Sequence, residues 1–343
     1  MASTPPSSNT IFTVGWICAL PLEMAAAKAM LDESYGDEPV ESQHERDDNS
    51  YHLGRVGGHN VVIACLPMGR YGLVSAAKVA TQMLFTFPAV RVGLMVGIGG
   101  GIPSKNRDVR LGDVVVSRPE GTTGGVVQYD LGKMEADGKF EVKGMLNKPP
   151  AVLLNAMARL ESEHEFNGTE IPELLKKALQ KARAVGFKTK FAYQGPENDI
   201  LFEFDYEHVL DEETCDECDH ERTVKRSDEI NRTECPVIHY GIIASGNQVI
   251  KHGRTREAVV DKFKAICFEM EAAGLMDSFP CVVIRGICDY SDSHKNDRWQ
   301  RYAALTAAAY TKELLSMIPP RAVESTQPAV SLIKTMQKGR LSL

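Results

Sequence analysis

Apolar positions in this chain fall mostly in continuous runs rather than in strict alternation, and helical segments separate the runs. Ile11 to Leu20 (IFTVGWICAL) is a first buried strand, and Pro21 to Lys28 opens a helix with proline in its first turn and Glu23 beside it. Asp32 to Ser50 is acidic and polar and reads as a surface loop. Tyr51 to Gly58 and Asn60 to Leu66 read as two strands joined at Gly57-Gly58, a hairpin signal. Met68 to Gly72 is a glycine-bearing turn before a helix from Leu73 to Phe85. Val90 to Val96 is the next buried strand, running into Gly97-Ile98-Gly99-Gly100-Gly101-Ile102-Pro103, a glycine turn whose backbone can approach a ligand closely.

Leu111 to Ser117 continues the pattern as a strand, and Thr122 to Lys133 as strand and loop. Pro150 to Ala184 is helical, with charged faces. Ile238 to Ile250 is a strand ending in a Gly-Asn turn, and Arg254 to Lys264 a polar helix. Cys281 to Ile284 is a buried strand that runs out through Arg285 to Asp289, and Trp299 to Met317 is an Ala-rich helix. This alternation predicts one α/β domain over residues 11–318 with a largely buried central sheet. Residues 1–10 form a polar tail, 319–343 a C-terminal tail, and the irregular stretch 185–236 an insertion. No internal repeat of fixed period is present.

Composition is that of an ordinary globular chain: 343 residues, 43% hydrophobic and 25% charged, with a formal net charge of -7. A negative balance argues against a general nucleic-acid binder, which must neutralise phosphates. No apolar run reaches the about 18 residues that a spanning helix needs. The N-terminus has neither a basic nor an apolar signal region, which makes the cytoplasm the expected compartment. Cys18, Cys65, Cys267, Cys281 and Cys288 lie in apolar runs and read as buried free thiols.

Several groups carry candidate chemistry. Asp289 ends an apolar strand, where open α/β sheets bind ligands; a helix-cap or turn aspartate is the alternative. Glu23 is by default a first-turn carboxylate, and Glu271 by default an exposed helix residue. The glycine run is not a dinucleotide fingerprint, because Pro103 follows it at once, so no nucleotide cofactor is expected. Cys215-x-x-Cys218-Asp-His220, with Cys235 beyond, has the residue types of a structural zinc site but lacks a second paired knuckle; free thiols in a polar loop are the alternative. No metal is expected at the main site.

In combination, the segments VGWICALPLEM, VGIGGGIP followed by LGDVVVS, ASGNQVI, CFEMEAAG and RGICD resemble the nucleoside phosphorylase/nucleosidase superfamily, most of all its fungal members. The resemblance implies an α/β domain with a central mixed, partly barrel-like sheet flanked by helices. It implies that Met270 and Glu271 hold the ribose and that Asp289 protonates the departing purine. Val249 and Ile250 would line the base pocket, beside Gly97, Gly99 and Gly100. A homo-oligomer is implied as well.

Departures from the phosphorylase pattern separate two chemistries. The first-loop position that binds phosphate through arginine is Glu23 here, and the matching positions around the glycines are the apolar Met95 and Ile98. Losing those charge-assisted contacts weakens phosphate binding. A nucleosidase instead uses a glutamate there to hold and deprotonate water. The expectation is therefore a purine nucleosidase cleaving inosine, guanosine or adenosine to free base and ribose. Gln128, Tyr129 or Asp130 could replace a serine that the nucleosidase water site has and this chain lacks. The alternatives are a phosphorylase whose arginine comes from elsewhere, such as Arg70, and a nucleoside-sensing module without turnover. Phe204, Tyr206 and His208 in the insertion are candidates to cover the sugar.

Overall fold

In a computed structural model, residues 6, 8–136, 140–184, 190–209, 214–226 and 235–331 are described. Parts of the N-terminal tail and the insertion, and the end of the C-terminal tail, lie outside them. The strands are β1 (Val14–Cys18), β2 (Glu33–Gly36), β3 (Tyr51–Val56), β4 (His59–Cys65), β5 (Val92–Gly101), β6 (Val114–Ser117), β7 (Val126–Gln128), β8 (Gly132–Met134), β9 (Phe140–Val142), β10 (Ile238–Ser245), β11 (Ala265–Glu269) and β12 (Cys281–Asp289). The helices are α1 (Pro21–Ala29), α2 (Leu73–Thr86), α3 (Ala151–Asn167), α4 (Ile171–Ala184), α5 (Gly253–Phe263), α6 (Gln300–Ser316) and α7 (Pro320–Glu324).

The main sheet runs β11-β10-β6-β12-β5-β1-β4-β3-β2, and β5 also pairs back onto β11. That last pairing closes five strands into a small barrel and leaves β1 to β2 as an open extension. The sheet is mixed. β12 lies parallel to β5 and antiparallel to β6, and β11 meets β5 antiparallel. The fold class expected from the apolar runs and the family likeness is the one observed.

Central strands are apolar on both faces because helices cover both. One core layer joins Trp16, Leu94, Val116 and Ile284 to the alanines of α6; the other joins Ile17, Met95 and Val283 to Met83 of α2 and to Phe279. Helix α6 is buried on nearly every side, which explains its run of small residues: alanine costs little helix propensity and lets the helix seat closely on β12 and β5.

Three local expectations differ. The glycine run is not a turn; β5 continues through it to Gly101. The acidic loop after α1 contains the edge strand β2, whose sequence, ESYG, lacks any apolar run that would mark it. The tail after residue 318 is docked at least to residue 331, with Val323 and Ala329 fully buried and the Ala329 amide donating to Val90.

Candidate active site

Helix α1, the end of β11 and the residues just after it, β12, and the loop after β12 deliver the charged groups of a single cavity of about 290 Å³, whose lining includes Glu23, Ile98, Gly99, Gly100, Val249, Ile250, Phe268, Glu269, Met270, Glu271, Arg285 and Lys295. Glu23 stands in the first turn of α1, and its carboxylate accepts from the backbone amides of Ala19, Leu20 and Ile98 at 2.6, 3.0 and 2.8 Å. The helix-start role of this carboxylate therefore holds, and it also ties α1 to β5. Burial raises the Glu23 pKa, more than Arg285 and the three amides lower it.

Arg285 is the group that composition and motif did not single out. It is 0% exposed in the middle of β12. Its guanidinium pairs with Glu269 and, at 3.3 Å, with Glu271, and donates to the Ile98 carbonyl at 3.4 Å. A lone arginine inside the apolar run CVVIRGICD was the available signal, since an unpaired buried guanidinium is too costly to occur by chance. Burial alone would lower the pKa of Arg285, but its glutamates hold it charged.

Glu271 is not an exposed helix residue. It follows the end of β11, is 5% exposed, accepts from the Gly72 amide at 3.3 Å, and has its pKa pushed up to about 7, chiefly by burial and then, against the pull of Arg285, by Glu269 and Glu23. Glu269 accepts from the amides of Glu271 and Ala272. Three carboxylates thus surround one guanidinium.

Glycine makes this arrangement possible. A Cβ on Gly97 would stand 2.3 Å from Glu23 Oε1 and 2.6 Å from Arg285 Nη1, and one on Gly100 would stand 1.9 Å from Ser291 Oγ and 2.8 Å from Asp289 Oδ1. The bare strand makes room for the side chains of the site. Gly97 and Gly100 are three residues apart, so the places they vacate for Glu23 and Asp289 stand about 10 Å apart along the strand.

Asp289 is buried at the end of β12, where its carboxylate accepts from the Ser291 amide at 2.9 Å and from the Cys288 thiol at 3.0 Å, and pairs with the Lys295 ammonium at 2.7 Å. Burial would raise its pKa, but Lys295 and these donors bring it below the usual carboxylate range. Ser291 has a left-handed backbone, φ 54°, unusual for a side-chain-bearing residue and placed where its amide meets Asp289. Asp289 itself faces an adjoining cavity of about 700 Å³; Cys288 and Lys295 line both cavities and form the partition between them.

A family model described as the phosphorylase superfamily matches residues 13–316. The chain belongs to the phosphorylase superfamily. A nucleotide-binding leucine-rich repeat (NLR)-like protein of Hyaloscypha variabilis is 48% identical over 313 residues, covering 91% of this chain and 30% of the relative. An ATP nucleosidase, Cap17, of Escherichia coli is 24% identical over 309 residues, 87% of this chain and 50% of that protein. This chain therefore spans a half or less of the length of both curated relatives. Among solved structures, the futalosine hydrolase of Helicobacter pylori superposes with a TM-score of 0.55 at 18% identity, covering 90% of this chain and 98% of the other, a likeness of fold.

Within this superfamily frame, the structure gathers Glu23, Met270, Glu271, Val249, Ile250, Gly99 and Gly100 around one cavity, with Gly97 behind Glu23 and Asp289 behind the partition. Other expectations fail. Gln128, Tyr129 and Asp130 do not line the cavity; Tyr129 and Asp130 brace the loop at Asn247 and Gln248 instead. Phe204, Tyr206 and His208 do not line it either, and Phe204 packs under Arg254. Arg70 is exposed and outside its wall. In the candidate zinc group, His220 and Cys235 stand apart from Cys215 and Cys218, and His208 takes their place.

Proposed function

We propose that the chain cleaves the N-glycosidic bond of a purine nucleoside with water, releasing the free base and ribose; inosine, guanosine and adenosine are the first substrates to test. One observation carries this reading. Among the described residues, the one guanidinium lining the cavity is already matched by Glu269 and Glu271, the one ammonium, that of Lys295, is matched by Asp289, and Glu23 adds a third carboxylate, so the pocket wall has no unpaired cation with which to hold phosphate.

In the proposed reaction, Glu23 orients a water and takes its proton, and its raised pKa brings it nearer to neutrality, where a general base works best. The water oxygen bonds to C1′ of an oxocarbenium-like sugar as the bond to the purine breaks, its electron pair leaving with the base. Glu271, in its ionised form, accepts the 2′ and 3′ hydroxyls, and Met270 packs against the sugar. Val249, Ile250 and Phe268 flank the base. The base must take up a proton at an imidazole nitrogen to leave as a neutral species. Asp289 is held ionised in the ligand-free protein by Lys295, so in this reading it takes up a proton from solvent when the nucleoside binds and passes it to the base, returning to the ionised form beside Lys295.

The proposed oligomer has support at the cavity wall, where Tyr71 and Val249 are exposed apolar side chains, with the exposed Met68 and Val74 on either side of Tyr71 in the sequence. A second copy covering them would shield the sugar from solvent.

Similarity to the ATP nucleosidase adds ATP to the substrates worth testing. The test is release of free base from inosine, guanosine, adenosine and ATP by the purified chain. Turnover of at least one supports the reading; tight binding of a nucleoside with no base released identifies a sensing module.

A further inference from the structure

The insertion carries a cluster that the nucleoside site does not use. Cys215 and Cys218, with two residues between them, lie on a tight turn closed by the Cys218 amide donating to the Cys215 carbonyl at 3.2 Å. The ligand atoms of Cys215, Cys218 and His208 all lie within 4.8 Å of one another. Beside them, in the loop after β12, the His294 side chain is 5% exposed; its Nδ1 stands 3.6 Å from the Asp292 carboxylate, and its Nε2 has no partner among the described residues. Its ring centre is 5.5 Å from that of His208, and its backbone carbonyl is 3.7 Å from Cys215 Sγ. A buried imidazole nitrogen with no partner is costly unless something occupies it.

We propose that Cys215, Cys218 and His208 form a binding site for one soft divalent cation of the zinc class, with His294 supplying the fourth ligand. Two sulfurs and two imidazoles are the donor set that selects zinc over the oxygen-seeking cations. A tetrahedral shell with bonds of about 2.0–2.3 Å needs ligand atoms about 3.3–3.8 Å apart, so the three-residue cluster closes by roughly 1 Å on binding. Each thiol loses its proton to solvent and binds as thiolate; both histidines bind neutral.

The placement gives the ion a structural task. The His208 amide donates to Ser293 Oγ at 2.9 Å, and Phe202 stacks on His294 at 4.0 Å. Lys295, the partner of Asp289, is the next residue in that loop. The ion would pin the insertion to the segment that forms the partition between the two cavities.

The test needs no catalytic assay. The full chain, purified under reducing conditions and stripped with chelator, is titrated with Co²⁺ and Zn²⁺, with metal content determined by mass spectrometry. The expected result is one ion per chain, a thiolate-to-cobalt charge-transfer band with intense tetrahedral d–d bands, and displacement of cobalt by zinc. Cys215→Ser and Cys218→Ser should lose the charge-transfer intensity, and His294→Phe should weaken affinity at least about ten-fold. If the cysteine variants fail to fold, the wild-type spectrum and X-ray absorption still report the sulfur and nitrogen ligands. Sub-stoichiometric metal in the wild-type chain, a Cys215–Cys218 disulfide under those conditions, or an unchanged cobalt spectrum in folded Cys218→Ser overturns the proposal.

Discussion

At the scale of single residues, the account rests on how burial and neighbouring charge set the state of three acids, Glu23, Glu271 and Asp289. Glu23 is the proposed base, so Glu23→Gln keeps its shape and removes its proton acceptor. The expected loss in kcat is about 10²- to 10⁴-fold, the usual worth of a general base, with KM little changed; steady-state kinetics of base release would show it. Glu271 makes a pH prediction. Its pKa rises from an ordinary glutamate value to about 7 in the folded chain, so ionising it opposes folding. Its stabilising effect is complete below the unfolded value and is lost as pH rises through about 7, at most a few kcal/mol. Thermal denaturation should therefore show the ligand-free protein losing stability between about pH 4.5 and 7, and Glu271→Gln should flatten that slope. Catalysis should run the opposite way: the ionised form accepts the sugar hydroxyls, so kcat/KM rises through the same window.

At the scale of elements, β5 and β12 build the site by their register, which sets Arg285 opposite Gly97 and Asp289 opposite Gly100. Gly97→Ala should force Glu23 and Arg285 apart, and Gly100→Ala should displace Ser291 and Asp289. Each is expected to cost about 1–3 kcal/mol through overpacking, with an activity loss larger than the stability loss implies. Melting temperature and kcat measured together check this.

The same pair of strands shows how far the sequence could be read. The central strands were legible because sheets covered on both faces write themselves as continuous apolar runs. Glu23, Met270 and Glu271 were legible through the order of their motifs, whereas the burial of Glu271 was not, since the local pattern EMEAAG is equally that of an exposed helix. Glycine usually punctuates, so GIGGG read as a turn; its purpose, space for side chains from α1 and β12, belongs to residues distant in sequence. Arg285 was hidden for the same reason, because its three carboxylates come from elsewhere in the chain. The polar edge strand β2 and the docked segment after residue 318 carry no run or period that would reveal them.

At the scale of the whole molecule, the barrel closure of β5 onto β11 brings the strand holding Glu269 beside the strand holding the glycines, and this is why residues from both ends of the chain meet in one cavity. The exposed Tyr71 on its wall, with the exposed Met68 and Val74 close to it in the sequence, leads to a prediction about assembly. Light scattering after gel filtration should give a mass of at least twice 37.7 kDa, and Tyr71→Glu with Val74→Glu should reduce it to one chain and raise KM. An unchanged monomer mass in the wild-type chain would remove the second copy from the account.

The central claim is electrostatic: a pocket with three carboxylates, and whose guanidinium and ammonium are both already paired, takes water, not phosphate, to the sugar carbon. Phosphorus NMR of the turnover mixture in phosphate buffer, with a nucleoside that the chain cleaves, tests it most directly. The account predicts free base and ribose, no ribose 1-phosphate signal, and a rate unchanged when phosphate is omitted; a ribose 1-phosphate signal growing in step with base release would contradict it.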